Sequence, residues 1–515
     1  MKRRDFLKYS AITSLPLILR SQGIMALGNN FAQAPLFSMR PDRKLILLQL
    51  NGGNDGLNTF IPLDQYSNLQ KARPNIIIPE NKLLNFNESL GLHPSFSKVR
   101  DLYQAENLLL MQSVGYPEPN LSHFRSKDII TSGSASNVIL NNGWMGRMIN
   151  EMHPEYPEGY PSPDFPHPLG LSIGSLASST CQGYISNMSS VIKNLNTSYT
   201  APGSQGEYPP TPFGDELKFI AGVMEQTELY LEAITEAADK ADTKSELYPE
   251  SGNSLSDQLR IVARLIAGGL QTQVYVVNLG GWDTHAGQTE DGMPEGGKHQ
   301  ELLTKLGDAM LAFQDDLKLL GVEDEVISLV YTEFGRRIKS NDSFGTDHGT
   351  AWPAILFGSM VNPVVLGSNP IIPDEVEKTD NLPMQFDFRS LYASIFKSWF
   401  EADDSSIEQV LQGSFDYLPI LKSTTEVTMH KEERGLTIYP NPVTSTAQIE
   451  FSSSEGLSNL ELFDTTGRRL QIMFERDLKA GTHHVQLNFT ELSAGSYYLI
   501  LKNKHRRESI PFIKR

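Results

Sequence analysis

The hydrophobic pattern is sharpest between Val274 and Gly358. Three runs stay apolar at almost every position: Val274-Tyr275-Val276-Val277-Asn278-Leu279, Val326-Ile327-Ser328-Leu329-Val330-Tyr331 and Ala354-Ile355-Leu356-Phe357-Gly358. Short, β-branched runs of this kind suit strands covered on both faces in a parallel sheet. Between the first two, Leu302, Leu303, Leu306, Met310, Phe313, Leu317 and Leu320 recur at intervals of three and four, which predicts an amphipathic helix over 301–320 closed by Gly321. Strand, helix and strand in this order predict a right-handed βαβ unit, and so an α/β fold.

The rest of the first four hundred or so residues fits the same plan. Residues 44–50 read as a further buried strand, followed by Asn51-Gly52-Gly53-Asn54-Asp55-Gly56-Leu57-Asn58. A helix and then a strand over 107–112 are expected next, and helices over 215–241, 254–267 and 387–400. Gly143-Trp144-Met145-Gly146-Arg147 opens another. Residues 153–214 are rich in Pro, Gly, Ser and Tyr and read as a long surface insertion, a candidate substrate-facing region. After a polar, charged linker at 422–434 the period changes to two. Seven short alternating runs separated by turn signals such as Thr466-Gly467 and Ala494-Gly495 predict a small C-terminal β-sandwich over 435–515.

Composition narrows the function. The formal charge of −17 excludes a nucleic-acid surface built on Lys/Arg patches. With one cysteine, Cys181, there is no intrachain disulfide and no cysteine-built zinc site, so any metal must use His and carboxylates. Residues 1–26 carry a basic start and a short apolar run over 9–19, too short for a permanent span, so the mature form is expected to have no transmembrane segment. Arg3-Arg4-Asp5-Phe6-Leu7-Lys8 resembles the twin-arginine export signal, with cleavage near Ala26.

The candidate chemistry sits at strand ends. In open α/β sheets, ligand sites form where loops leave the carboxyl ends of strands. Asp283 and His285 follow the first of the three runs, Glu333 the second, and Asp347 and His348 precede the third. Each cluster alone reads equally as turns and caps; three together predict a shared site. Asp55 joins the candidates through its place at the end of the first strand. The Gly-rich loop around it has neither a G-x-G-x-x-G pattern nor a Walker lysine, which argues against a nucleotide. Ser122 reads as a nucleophile or as the N-cap of a helix beginning at His123. No G-x-S-x-G elbow is present, which removes an α/β-hydrolase esterase. His483-His484 alternates across a strand and is not expected to form a site.

Together, 50–58, Ser122-His123-Phe124, 143–147, Gly281-Trp282-Asp283-Thr284-His285, Thr332-Glu333-Phe334-Gly335-Arg336 and Asp347-His348-Gly349 resemble the exported bacterial family called domain of unknown function 1501, over about residues 40–415. That family is similar in layout to the alkaline phosphatase and sulfatase superfamily. The resemblance implies an alkaline phosphatase-like α/β/α sandwich with a mostly parallel sheet, ahead of an Ig-like C-terminal sandwich. It implies a metal-dependent hydrolase of phosphate or sulfate esters, using zinc, or else magnesium, manganese or calcium. Asp55, or Asn51, takes the place of the first bridging carboxylate, and Ser122 that of the nucleophile. Asp283 and His285 take the places of one metal's carboxylate and histidine, Glu333 that of a second-metal carboxylate, and His348 resembles the last histidine ligand. Arg336 would bind an anionic group, with His123 as an acid. One departure stands out: the usual Asp-His pair at the second metal is here Glu333-Phe334. The alternative is a non-catalytic secreted binding protein with a degenerate metal site. In the tail, Tyr439-Pro440-Asn441-Pro442, 494–498 and Ile513-Lys514-Arg515 resemble the C-terminal sorting domain of the type IX secretion system. The implied partners are the twin-arginine translocase, the type IX machinery and a small or polymeric anionic ester. The implied location is the cell surface or medium, after periplasmic transit.

Overall fold

The computed structural model describes residues 39–195, 208–422 and 436–515, except 440, 454–455, 465–468, 480 and 503–506. The twin-arginine stretch lies outside the described residues, as does most of the 422–434 linker. The chain divides into two compact units, Met1–Ser423 and Thr424–Arg515.

The larger unit is built on a nine-stranded sheet. Its strands are β1 (Lys44–Asn51), β2 (Leu108–Gly115), β3 (Gly170–Ile173), β4 (Ser189–Ile192), β5 (Val274–Gly280), β6 (Val326–Thr332), β7 (Trp352–Phe357), β8 (Val365–Leu366) and β9 (Phe386–Asp387). The order is β8-β2-β7-β6-β1-β5-β3-β4, with β9 also on β2. β1 is central and runs parallel to β5 on one side and β6 on the other.

Strand periodicity builds the two faces. Ile46, Leu48 and Leu50 point into one core with residues of α1 (Ser97–Gln104), α4 (Pro212–Lys240), α5 (Ser254–Ala267) and α6 (Lys298–Leu320). Leu45 and Leu47 point into the other, against α2 (His123–Ser132), α3 (Trp144–Met152), α7 (Phe388–Ser394) and α8 (Asp404–Leu411). The result is an α/β/α sandwich. α6 is the helix expected between β5 and β6, and Gly321 ends it with φ +76°.

Two expectations change. β7 is antiparallel to both β6 and β2, not parallel. The segment joining β6 to β7 contains no crossover helix. It is a two-stranded ribbon (Arg336–Ser340 with Thr346–His348) that stays at the rim, so the chain re-enters the sheet in the opposite direction. Residues 153–214 are also more than a surface insertion, because they supply β3 and β4, parallel to β5 and to each other.

Among the described residues the smaller unit holds seven antiparallel strands in a three-stranded and a four-stranded sheet. Ile449, Phe451, Leu460, Leu462, Leu499, Leu501 and Phe512 share one core, the two-sheet packing of a β-sandwich. His483 bonds the Lys479 carbonyl at 2.9 Å and His484 lies 3.7 Å from Glu450, so the pair forms no joint site.

Candidate metal centre

The carboxyl ends of β1, β2, β5 and β6 open on one rim, and each sends a loop into the same place. Gly52 makes the approach possible. Its φ is +125°, and a Cβ there would lie 2.3 Å from the Asp283 backbone nitrogen. This close contact presses the loop after β1 against the loop after β5, where Trp282 donates its backbone N–H to the Asn51 carbonyl at 3.1 Å.

On this frame three imidazoles meet one carboxylate. Asp283 Oδ1 lies 3.1 Å from His285 Nε2 and 3.1 Å from His348 Nε2, and Asp283 Oδ2 lies 3.3 Å from His123 Nε2. His285 Nε2 and His348 Nε2 are 2.8 Å apart. His123, Asp283 and His348 can each present a ligand atom within 4.8 Å of the others.

The opposite ring nitrogens fix the tautomers. His348 Nδ1 bonds the Leu121 carbonyl at 2.8 Å, His285 Nδ1 the Asp347 carboxylate at 3.0 Å, and His123 Nδ1 the Glu333 carboxylate at 2.8 Å. A carbonyl or carboxylate can only accept, so each Nδ1 carries the proton and, in a neutral ring, each Nε2 carries a lone pair. Lone pairs directed at one another over 2.8 Å repel unless a positive charge sits among them. The His123 Nε2 atom is itself buried without a hydrogen-bond partner. Imidazole nitrogens and a carboxylate oxygen, with their outer nitrogens held by acceptors, are a donor set that can hold a metal ion.

Charges agree with this layout. Burial alone would raise the Asp283 carboxyl, but the hydrogen bond and charge of the Arg336 guanidinium hold it down to about 2. The Glu333 carboxylate raises the pKa of His123 against the effect of burial. Burial lowers that of His348. Asp347 is lowered, since His285 and Asn341 outweigh its desolvation. The mouth is open: the Asp283 side chain is 47% exposed.

A sequence profile described as a protein of unknown function (DUF1501) matches residues 106–411, more than half of the chain. The chain belongs to the DUF1501 family. A second profile, the secretion system C-terminal sorting domain, matches residues 437–515 and assigns the smaller unit to the type IX secretion machinery. No curated protein matches this DUF1501 chain. Solved structures similar to it include a protein in the alkaline phosphatase superfamily from Vibrio parahaemolyticus, at 10% identity and TM-score 0.33 over 85% of this chain and 82% of that one. The phosphonate monoester hydrolase of Silicibacter pomeroyi is 9% identical, at TM-score 0.33 over 92% and 89%. PorZ, a type-IX secretion surface component of Porphyromonas gingivalis, is 16% identical at TM-score 0.13; the match covers 19% of this chain and 13% of PorZ. No helix among the described residues is long and apolar enough to cross a membrane.

The remaining candidate residues of this DUF1501 chain fall in three places. Glu333 and Asp347 stand behind imidazoles. Glu333 also accepts from the Gly52 backbone N–H at 2.8 Å and the Thr332 hydroxyl at 3.1 Å. Asp55 stands apart from the cluster, fully buried, with Arg73 Nη1 at 2.7 Å and Gln288 Nε2 at 2.6 Å on its carboxylate. A carboxylate so neutralised and sealed has no free oxygen for a bridging role. Arg336 is not available to an anion either. Its guanidinium is buried and spent on the carbonyls of Gly52, Gly53, Thr346 and Trp282 and on Asp283.

Ser122 is the N-cap residue of α2, exposed, with its side chain making no capping bond. It lies between Leu121 and His123, both in the cluster. One contributor escapes sequence reasoning, and one neighbour lies beside the cluster. The Leu121 carbonyl has no side-chain signature. Lys127, whose Nζ lies 3.5 Å from Asn51 Oδ1, was legible only as the residue one helical turn after His123.

Proposed function

We propose that this exported protein is a metal-dependent hydrolase of phosphate or sulfate esters, reaching the cell surface or medium through its C-terminal sorting unit. The observation that carries the reading is the convergence of the His123, His285 and His348 Nε2 lone pairs on the Asp283 carboxylate at the strand-end rim. The ester class is supported by the likeness in layout between the DUF1501 family, whose motifs this chain carries, and the alkaline phosphatase and sulfatase superfamily. A divalent cation held by Asp283, His285 and His348 would supply Lewis acidity to an ester oxygen. The chain's own residues do the rest. Ser122 offers an exposed hydroxyl at the N-terminus of α2, where the helix dipole favours a developing negative charge. Lys127 presents an exposed ammonium to the substrate's charged group. The net reaction breaks the P–O or S–O ester bond with water and gives an alcohol and the inorganic oxyanion.

A second reading has its own observation. Arg336 is fully engaged, so the rim lacks the bidentate anion clamp that such hydrolases need, and this favours a secreted binding protein whose cation is structural. One experiment separates the two. Protein matured in its native exporter is analysed for metals and assayed on p-nitrophenyl phosphate and p-nitrophenyl sulfate before and after chelation. Bound zinc with chelator-sensitive turnover supports the hydrolase, and bound metal without turnover supports the binder. Metal-free protein with unchanged activity removes both. Twin-arginine transit is part of the proposal: Arg3→Lys with Arg4→Lys is expected to leave the chain unexported, and normal export of that variant would contradict it.

A further inference from the structure

We infer that the rim holds one cation rather than two, with His123 among its ligands and Glu333 as the residue that positions His123. This rests on the metal-centre reading above. Two-metal sites in the superfamily expected from the motifs need a second group of donors beside the first. Here each candidate for that group is already engaged. Glu333 Oε1 accepts from the Gly52 N–H and from His123 Nδ1, and Oε2 accepts from the Thr332 hydroxyl. Asp55 is closed by Arg73 and Gln288. Asn51 is a neutral amide. Phe334, where a histidine is expected, is buried and packs its ring 4.8 Å from His123 and 4.5 Å from His348. The buried Arg336 guanidinium lies 2.9 Å from Asp283 Oδ1, a fixed positive charge beside the shared carboxylate that disfavours a second dication.

The same contacts assign His123. Glu333 is anchored by a backbone N–H and a hydroxyl, and it holds the Nδ1 proton so that Nε2 faces Asp283 Oδ2 at 3.3 Å. Phe334 and His348 confine the ring from two sides, the latter edge-on at 4.3 Å. A side chain fixed in this way, with its remaining lone pair buried and unpartnered, is set as a ligand rather than as the mobile proton donor the resemblance implies. Glu333 thus acts through His123.

The test uses the full-length exported chain, stripped by chelation and titrated with zinc and with cobalt(II). Stoichiometry is read by elemental analysis, and ligand field by cobalt visible absorption. The expected result is saturation at one ion per chain. His123→Ala is expected to weaken binding and shift the cobalt bands. Glu333→Leu, which keeps the bulk but removes the acceptor, is expected to weaken binding by about 10- to 100-fold. Glu333→Gln, whose amide oxygen still accepts from His123, is expected to restore most of it. Thermal unfolding of each metal-free variant checks that the fold is kept. Saturation at two ions per chain overturns the inference while leaving the metal-centre reading intact. So does a His123→Ala protein with unchanged affinity and cobalt spectrum, or a Glu333→Gln loss as large as that of Glu333→Leu. Failure of the parent chain to bind either ion overturns both.

Discussion

Two polar clusters lie under the same rim, and both are fed by Gly-flanked residues just after strands. One joins His123, Asp283, His285 and His348. The other joins Asp55, Arg73, Gln288 and Asn58, with His299 bonded to Asn54 beside it at 3.0 Å. The second is closed in charge and in space, because Arg73 and Asp55 are both fully buried and Arg73 also donates to the Ile338 and Arg337 carbonyls. In the first, lone pairs face one another at an open mouth. The same residue type in the same sequence setting is therefore locked into the structure in one case and left facing other donors at the rim in the other. What decides between them is closure: both Asp55 oxygens are bonded and sealed by Arg73 and Gln288, whereas Arg336 answers only Oδ1 of Asp283 and leaves the carboxylate half-exposed beside the imidazoles.

The largest effect expected from this contrast is on the closed cluster. Arg73→Ala strands a buried carboxylate, and denaturant unfolding should show a loss of about 3–5 kcal/mol. A loss below about 1 kcal/mol would mean the pair is not what locks the rim loops. The Asp55 carboxyl is raised by burial but carried below its ordinary value by Arg73. Its folded value is thus lower than its unfolded value. The pair's contribution is complete above the ordinary carboxylate pKa of about 3.9 and is lost as pH falls through the lowered value. Arg73→Ala should abolish that part of the acid sensitivity.

Much of this contrast lay beyond the sequence. The apolar runs of β1, β5 and β6, helix α6 and the alternation of Ala447, Ile449 and Phe451 were legible, because burial imposes a period that composition displays. Asp283, His285 and His348 were legible as a group because each follows a strand or leads into one. The fate of Asp55 was not, since its partner Arg73 lies eighteen residues away at the end of a short helix that no motif marks. Arg336 was misleading for a related reason: four of its partners are backbone carbonyls, which any residue can supply. β3 and β4 were hidden because four-residue strands set in a Pro- and Gly-rich segment carry too little periodicity to register.

The open cluster should respond to a ligand, which the closed one cannot do. Zinc at about 100 times its dissociation constant should stabilise the chelated chain by about 2.7 kcal/mol, read as a rise in Tm. His348→Ala should remove that rise while leaving the metal-free Tm close to that of the parent. A zinc-induced rise that survives His348→Ala would place the cation elsewhere.

The smallest effect concerns the substrate. If Lys127 does what Arg336 is too occupied to do, Lys127→Ala should raise KM for an anionic ester about 10-fold, roughly 1.4 kcal/mol, with kcat little changed. An equal fall in kcat with unchanged KM would instead tie Lys127 to the chemical step.

The most direct test is anomalous diffraction at the zinc edge from crystals of the full chain grown with zinc. One peak is expected, bonded to Asp283 and to the Nε2 atoms of the surrounding histidines, with Glu333 and Asp347 behind the rings. No peak at the rim, or a peak on Asp55, would contradict it.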